Sequence, residues 1–298
     1  MRFLFVRLTF FVLFFFFSVL SFPQIELIRS KLEAITSSKD AITGISIMSK
    51  DGVDTLSLNG DMKFPMQSVF KFHIALVVLS EVDNGNLSLN QKVEIIKSDL
   101  LPDTWSPIRE KFPNGTEMSL SDIIKYTVSL SDNNGCDILL RMVGGTKKVN
   151  DFFIERGFSD LSIVYNEEEM HKDWVAQFSN YSTPKSASII LKSFIEGKIL
   201  KQETTDFLMK VMIETATGIN RIKGKLPQGT SVAHKTGSSG KNESGISAAV
   251  NDIGIVFLSE DEYYFFSAFI TNSKETDQIN EQIISDISRI VWDYFSAK

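Results

Sequence analysis

Residues 65–82 read PMQSVFKFHIALVVLSEV: a proline, a polar turn, then a strongly apolar helix opened by Ser68, with Lys71 one turn further on. Residues three apart share a helix face, so the lysine nitrogen can reach the hydroxyl. The first helical turn also presents unpaired N–H groups and the positive end of the dipole, where an oxyanion can be held. A serine here can equally be a plain N-cap, and Ser-x-x-Lys recurs at Ser182/Lys185 and Ser238/Lys241. The second copy encloses Pro184, which disfavours a helical Thr183, and the third sits in a Gly-rich turn. Only Ser68 opens a helix.

On either side of this stretch the character of the chain changes. Residues 24–37 have helical apolar spacing, and 43–49 and 54–58 read as short strands joined by a Lys50-Asp51-Gly52 turn. From Ser68 to about Met212 the signals are mostly helical, broken by loops such as LPDTWSP and FPNGT. Strands return from Thr230 onward in SVAHKTG, GISAAVNDIGIVFL and YYFFSAFIT. Residues 277–295 then place Ile279, Ile283, Ile284, Ile287, Ile290, Val291, Tyr294 and Phe295 on one helical face. Strands near both ends with helices between predict an α+β fold. One antiparallel sheet is built from both termini and flanked by helices, with an inserted all-helical lobe and a cleft between the two. The expected bounds are about 22–65 and 213–298 for the α/β lobe and about 66–212 for the helical one.

At the start, Arg2 and Arg7 precede an apolar run from Phe10 to Leu20 and a small residue, Ser21. That is the plan of a secretory signal over about residues 1–21, and the run is shorter than the roughly 20 residues that span a bilayer. A net charge of −6 without a basic cluster argues against nucleic acid. The polar face of the last helix is acidic (Asp277, Glu281, Asp286, Asp293), the wrong sign for anionic lipid, so it packs on the core and no membrane contact is expected after signal removal. Cys136 is the only cysteine, which excludes an internal disulfide and suits a small buried residue. The three histidines, His73, His171 and His234, lack metal-ligand spacing. No metal or cofactor is expected, and the chain is expected to be a monomer.

Two triplets complete the chemistry. Ser131-Asp132-Asn133 follows the helical run SDIIKYTVSL, and Lys235-Thr236-Gly237 lies on the strand VAHKTG. Each arises by chance in roughly a few to fifteen per cent of chains this long. Hydroxyl, amine and amide groups from three distant segments are what a nucleophile with a proton relay requires. With these motifs the chain resembles the class A serine β-lactamases. The likeness spans nearly the whole mature chain and is nearest the PER/VEB-like extended-spectrum branch, in FPMQSVFKFHIALVVLSE, LPDTWSPI, SDNNGCDILL, NEEEMHKDW and AHKTG.

The resemblance implies that Ser68 attacks the ring of β-lactam antibiotics and that Lys71 helps remove its proton. Ser131 and Lys235 would pass a proton to the leaving nitrogen and hold the substrate carboxylate, and Asn133 would bond the side-chain amide. The N–H groups of Ser68 and Ser238 would form the oxyanion hole. Thr236, Gly237 and Ser238 would line the carboxylate side, with Arg221 a more distant cation, and Trp105 would wall the mouth. A periplasmic location follows by the same likeness.

Asn166-Glu167-Glu168-Glu169-Met170-His171 matches the loop that carries the deacylating glutamate, and the spacing to His171 favours Glu167. An acyl-enzyme is a hydrolytic intermediate only if a base activates water against it. His171 stands where most members have asparagine. A protonated imidazole loses its acceptor, so deacylation is expected to weaken below about pH 6.5. The Arg–Asp pair that closes this loop in many members is replaced by Tyr165 and Asn180. The loop must therefore close another way, and a roomier cleft for oxyimino-cephalosporins is expected. A D,D-peptidase would share the three motifs but has no use for Glu167. A β-lactam receptor that stays acylated would be fused to membrane helices, and a serine amidase on the same fold is the third reading.

Overall fold

The computed structural model describes residues 25–298, so the expected signal segment lies outside it. The quoted stretch forms a 3-10 turn, Gln67–Val69, running directly into the helix Phe70–Asp83. Every residue from Phe70 to Ser80 is buried. A helix apolar all round has no face to show water and so belongs at the centre, and the rest of the inserted region packs around it.

Behind it lies a five-stranded antiparallel sheet in the order Thr55–Leu58, Ile42–Ser49, Tyr263–Thr271, Val250–Phe257, Val232–Ser238. The register pairs Ile42 with Thr271 and Ser49 with Tyr264, so the two ends of the chain meet in mid-sheet. Alternation on Tyr263–Thr271 sends Phe265 and Phe269 to the core shared with the central helix. Tyr264, Phe266, Ala268 and Ile270 go to the opposite face. That face is covered by the helical residues 25–37 and by the helix Asp277–Ser296. Ile283, Ile284, Ile287, Val291 and Phe295 of this last helix are buried there, as its periodicity predicted. Both faces being covered explains the unbroken apolar run of YYFFSAFIT.

The inserted region is mostly helical, with two antiparallel ribbons the sequence does not announce. Lys92–Ile96 pairs with Gly115–Ser119, and Tyr181–Ser182 lies between Phe64–Pro65 and Leu161–Ser162. Two-residue strands carry no period to read, and GTEMS is too polar to look like a strand. The helix Pro184–Ile195 lies against the large sheet, where Ser188 Oγ donates to Ser267 Oγ at 2.9 Å. Among the described residues no helix is long and apolar enough to cross a membrane.

Candidate active site

The site is built where the edge strand Val232–Ser238 lies against the turn that presents Ser68. A Cβ on Gly237 would stand 2.4 Å from Met66 O, so only glycine lets the two segments touch. Asn251 on the next strand donates to Pro65 O at 2.8 Å and Met66 O at 3.1 Å, tying the turn to the sheet. Gln67 holds φ +47°, a left-handed conformation rare outside glycine. No side-chain cap serves the turn or the helix after it. Ser68 is therefore not a capping residue; its Oγ accepts from Lys71 Nζ at 2.7 Å.

Lys71, wholly buried, is the hub. Its ammonium faces Ser68 Oγ, Ser131 O at 3.0 Å, Asn133 Oδ1 and Glu167 Oε1 at 2.7 Å. Four acceptors surround three N–H bonds. Passing one proton to Glu167 leaves a neutral amine whose lone pair can take the proton of Ser68. The wholly buried Lys235 donates to Ser131 Oγ at 3.0 Å and Thr236 O at 2.8 Å. Burial pushes its ammonium well below the usual lysine range, aided by the nearby Lys71 charge. The Lys235 nitrogen is thus placed on the Ser131 hydroxyl in a setting that disfavours its charged form.

Ser131, at φ +62°, turns the chain between two helices. Asp132 caps the second, Asn133–Met142, by accepting from Gly135 N at 2.8 Å, and its buried carboxylate also accepts from Ile108 N at 2.6 Å and from Ser106 Oγ. Burial raises its pKa. Its work is to fix the turn. Asn133 donates through Nδ2 to Thr104 Oγ1, a partner the motif does not reveal.

Glu167 opens the short helix Glu167–Lys172, capped by Asn166 in a capping box with Glu169. Both its own N–H and that of Glu168 donate to the carboxylate of Asp137, at 2.8 and 3.1 Å. Asp137 lies one turn beyond Asn133 on the same helix face, a spacing that could have flagged it. Burial raises its pKa to about 6. The loop closes without an ion pair: the buried Asn180 accepts from Val164 N at 2.7 Å and Tyr165 N at 2.9 Å and donates to Tyr165 O at 2.7 Å. Asn180→Ala leaves these backbone groups unpaired, and an unfolding titration is expected to show a loss of about 2–4 kcal/mol. A loss below about 1 kcal/mol would mean the loop closes by other means.

A cleft of about 630 Å³ opens over these groups, lined by Ser68, Trp105, Ser131, Asn133, Glu167, His171, Thr236 and Ser238 among others. Trp105 stands exposed at the rim, anchored through Nε1 to Leu130 O at 2.9 Å. Thr236 Oγ1 lies 2.6 Å from Thr217 Oγ1, a neighbour no motif marks. Arg221 reaches the cleft as well, yet it is no free arm. It donates to Gly237 O, Asn251 O and Ser238 Oγ (3.1, 2.9 and 2.7 Å) and pairs with Glu281, so it fixes the edge strand and orients Ser238. His171 is exposed and, among the described residues, makes no side-chain hydrogen bond. The rival Ser-x-x-Lys pairs fall away, since Lys185 bonds Asp61 at the surface and Lys241 bonds loop carbonyls.

His73 is buried and held near pKa 4 by burial, hence neutral and packed. His234 points away from Lys235, with Nδ1 2.9 Å from the buried Asp252. Cys136 is buried, and burial raises its thiol pKa. Among the described residues no group of side chains could hold a metal ion.

Residues 27–295 match the model of the β-lactamase enzyme family. The chain is 50% identical over 286 residues to β-lactamase VEB-1 of Pseudomonas aeruginosa, covering 95% of each. It is 38% identical over 273 residues to the extended-spectrum β-lactamase PER-1 of the same organism, covering 91% of this chain and 88% of that one. The crystal structure of TLA-3 extended-spectrum β-lactamase superposes with a TM-score of 0.89 at 46% identity, covering 91% of this chain and 99% of that one. A β-lactamase from Chitinophaga pinensis gives 0.88 at 44%, covering 90% and 99%. With the serine, lysine and glutamate gathered as described, the chain belongs to the β-lactamase enzyme family, as a class A serine β-lactamase.

Proposed function

We propose that Ser68 carries the acyl-enzyme and Glu167 directs water onto it, so that this β-lactamase opens the lactam amide of penicillins and cephalosporins, oxyimino-cephalosporins included. The observation that carries the reading is the Lys71 hub, which links nucleophile and glutamate through one nitrogen at 2.7 Å on each side. Ser68 Oγ bonds to the lactam carbon as its proton leaves toward Lys71 and Glu167. The C–N bond breaks as Ser131, backed by Lys235, protonates the nitrogen, and the proton left on Glu167 passes back through Lys71 to refill the Ser131–Lys235 pair, so that Glu167 is a carboxylate again. Water then gives its proton to Glu167 and its oxygen to the acyl carbon, and Ser68 leaves with a proton. Asn133, Trp105 and His171 border the side-chain end of the cleft, and Thr236, Gly237 and Ser238, braced by Arg221, the carboxylate end. The cleft of about 630 Å³ and the extended-spectrum names of its relatives support acceptance of bulky side chains. An exported, periplasmic, monomeric enzyme is the matching biology. Mixing the protein with a chromogenic cephalosporin and quenching for mass spectrometry tests this. Multiple turnovers with a transient adduct on Ser68 support the reading, and a permanent single adduct makes the protein a receptor instead.

Beside His171, Asp137 is a second group able to set the acid limb of deacylation. Above pH 6 the Asp137 carboxylate accepts two N–H groups and holds Glu167 in place. As pH falls through about 6 it takes a proton, loses charge and acceptor capacity, and frees the glutamate helix. Rate–pH profiles of two variants separate the residues. Asp137→Asn should lose the limb near pH 6 and His171→Asn should keep it; the reverse result returns the limb to His171.

A further inference from the structure

Glu167 stands between two hollows. One is the substrate cleft. The other, of about 160 Å³, lies on the far side, between residues 101–104 and the glutamate helix, and is bordered by Asp137, Glu168 and Lys172. Asn133, Glu167 and His171 belong to the walls of both. We propose that this second hollow is the inlet for the water that hydrolyses the acyl-enzyme.

Once Ser68 is acylated, the drug occupies the cleft, so water arriving from the mouth has to pass it. The second hollow reaches Glu167 without crossing the acyl group. Its volume is about five times the roughly 30 Å³ of one water in the liquid; its wall is mostly apolar, so water passes through rather than being held, with acidic residues as the polar stations along it. Four acidic residues on its wall, Asp103, Asp137, Glu167 and Glu168, disfavour the alternative occupant, the anionic drug. The inference rests on the role of Glu167 proposed above. It adds no step: water still gives its proton to Glu167 and its oxygen to the acyl carbon, and Ser68 still departs with a proton.

Filling the hollow without touching the catalytic groups tests this. Leu101→Trp fills it from the loop side, where the Leu101 backbone is pinned by Asn134 at 3.1 Å. Asp103→Trp covers it from an exposed position that leaves the core intact if the first variant fails to fold. Quench-flow mass spectrometry with benzylpenicillin and an oxyimino-cephalosporin follows the Ser68 adduct. The expected result is formation within about two-fold of the parent and decay roughly ten-fold slower, for both drugs alike. Decay within about two-fold of the parent in the folded variants overturns the inference. So does slower formation confined to the oxyimino drug, which makes the hollow room for substrate side chains. If the parent itself forms no adduct on Ser68, the catalytic reading fails instead.

Discussion

Glu167→Gln is expected to stop the reaction halfway, with the drug attached to Ser68 and water unable to remove it. The substitution keeps shape and hydrogen-bonding length but removes the base. General-base assistance is worth about 10²–10⁴-fold, so deacylation should fall by that factor. Acylation is the first irreversible step and alone sets kcat/KM, whereas kcat is limited by the slower of the two. A variant blocked mainly in deacylation therefore loses kcat and KM together, while kcat/KM falls only by the smaller share that Glu167 contributes to acylation through Lys71. Stopped-flow with a chromogenic cephalosporin reads this as a burst followed by near silence, and mass spectrometry places the adduct. If no adduct accumulates and kcat/KM falls as far as kcat, the glutamate is needed equally for the first step, through its 2.7 Å contact with Lys71.

Lys71→Ala should damage both steps and the fold beneath them. The ammonium is wholly buried and supplies hydrogen bonds to Ser68 Oγ, Ser131 O and Asn133 Oδ1 besides its ion pair. Without it Ser68 loses its proton acceptor, and acylation is expected to fall by about 10³–10⁴-fold. Glu167, nearly buried, is left without its counter-ion. Removing one partner of such a pair typically costs about 3–5 kcal/mol, and denaturant titration of the variant beside the parent measures it. A variant as stable as the parent that still acylates at a tenth of its rate or better would remove Lys71 from the centre of the site.

The parts of this site legible in the sequence are those whose chemistry is written in consecutive residues. Ser68 and Lys71 share a helix turn, Lys235 and Thr236 a strand, and Ser131 and Asn133 a helix junction. Local periodicity placed each on its element, and the all-apolar helix after Ser68 forced the centre of the fold. What stayed hidden depends on approaches between distant segments. Asn180 reads as a missing aspartate until its carboxamide is seen on the backbone of residues 164 and 165. Asp137 reads as an ordinary helical acid until two N–H groups arrive from thirty residues downstream. Arg221 passes for a free cation because nothing local shows the carbonyls of Gly237 and Asn251 that use up its donors. The bridge from Gln67 to Gln177, which ties the nucleophile turn to the far end of the glutamate loop, has no local signature at all.

The pairing of residues 42–49 with 264–271 at the middle of the sheet also governs how the enzyme comes into being. A chain made from its N-terminus can pair its first strand with residues 55–58 at once, but the other edge of that strand stays open until nearly the last has been synthesised. Closing so long a loop precedes most of the reward from the sheet, which puts folding in the slow, high-contact-order class. Until then the free side of residues 42–49 remains an open edge, the kind of surface most prone to clump. Completion of the polypeptide, rather than emergence of its catalytic helix, is what starts the life of this enzyme as a folded protein.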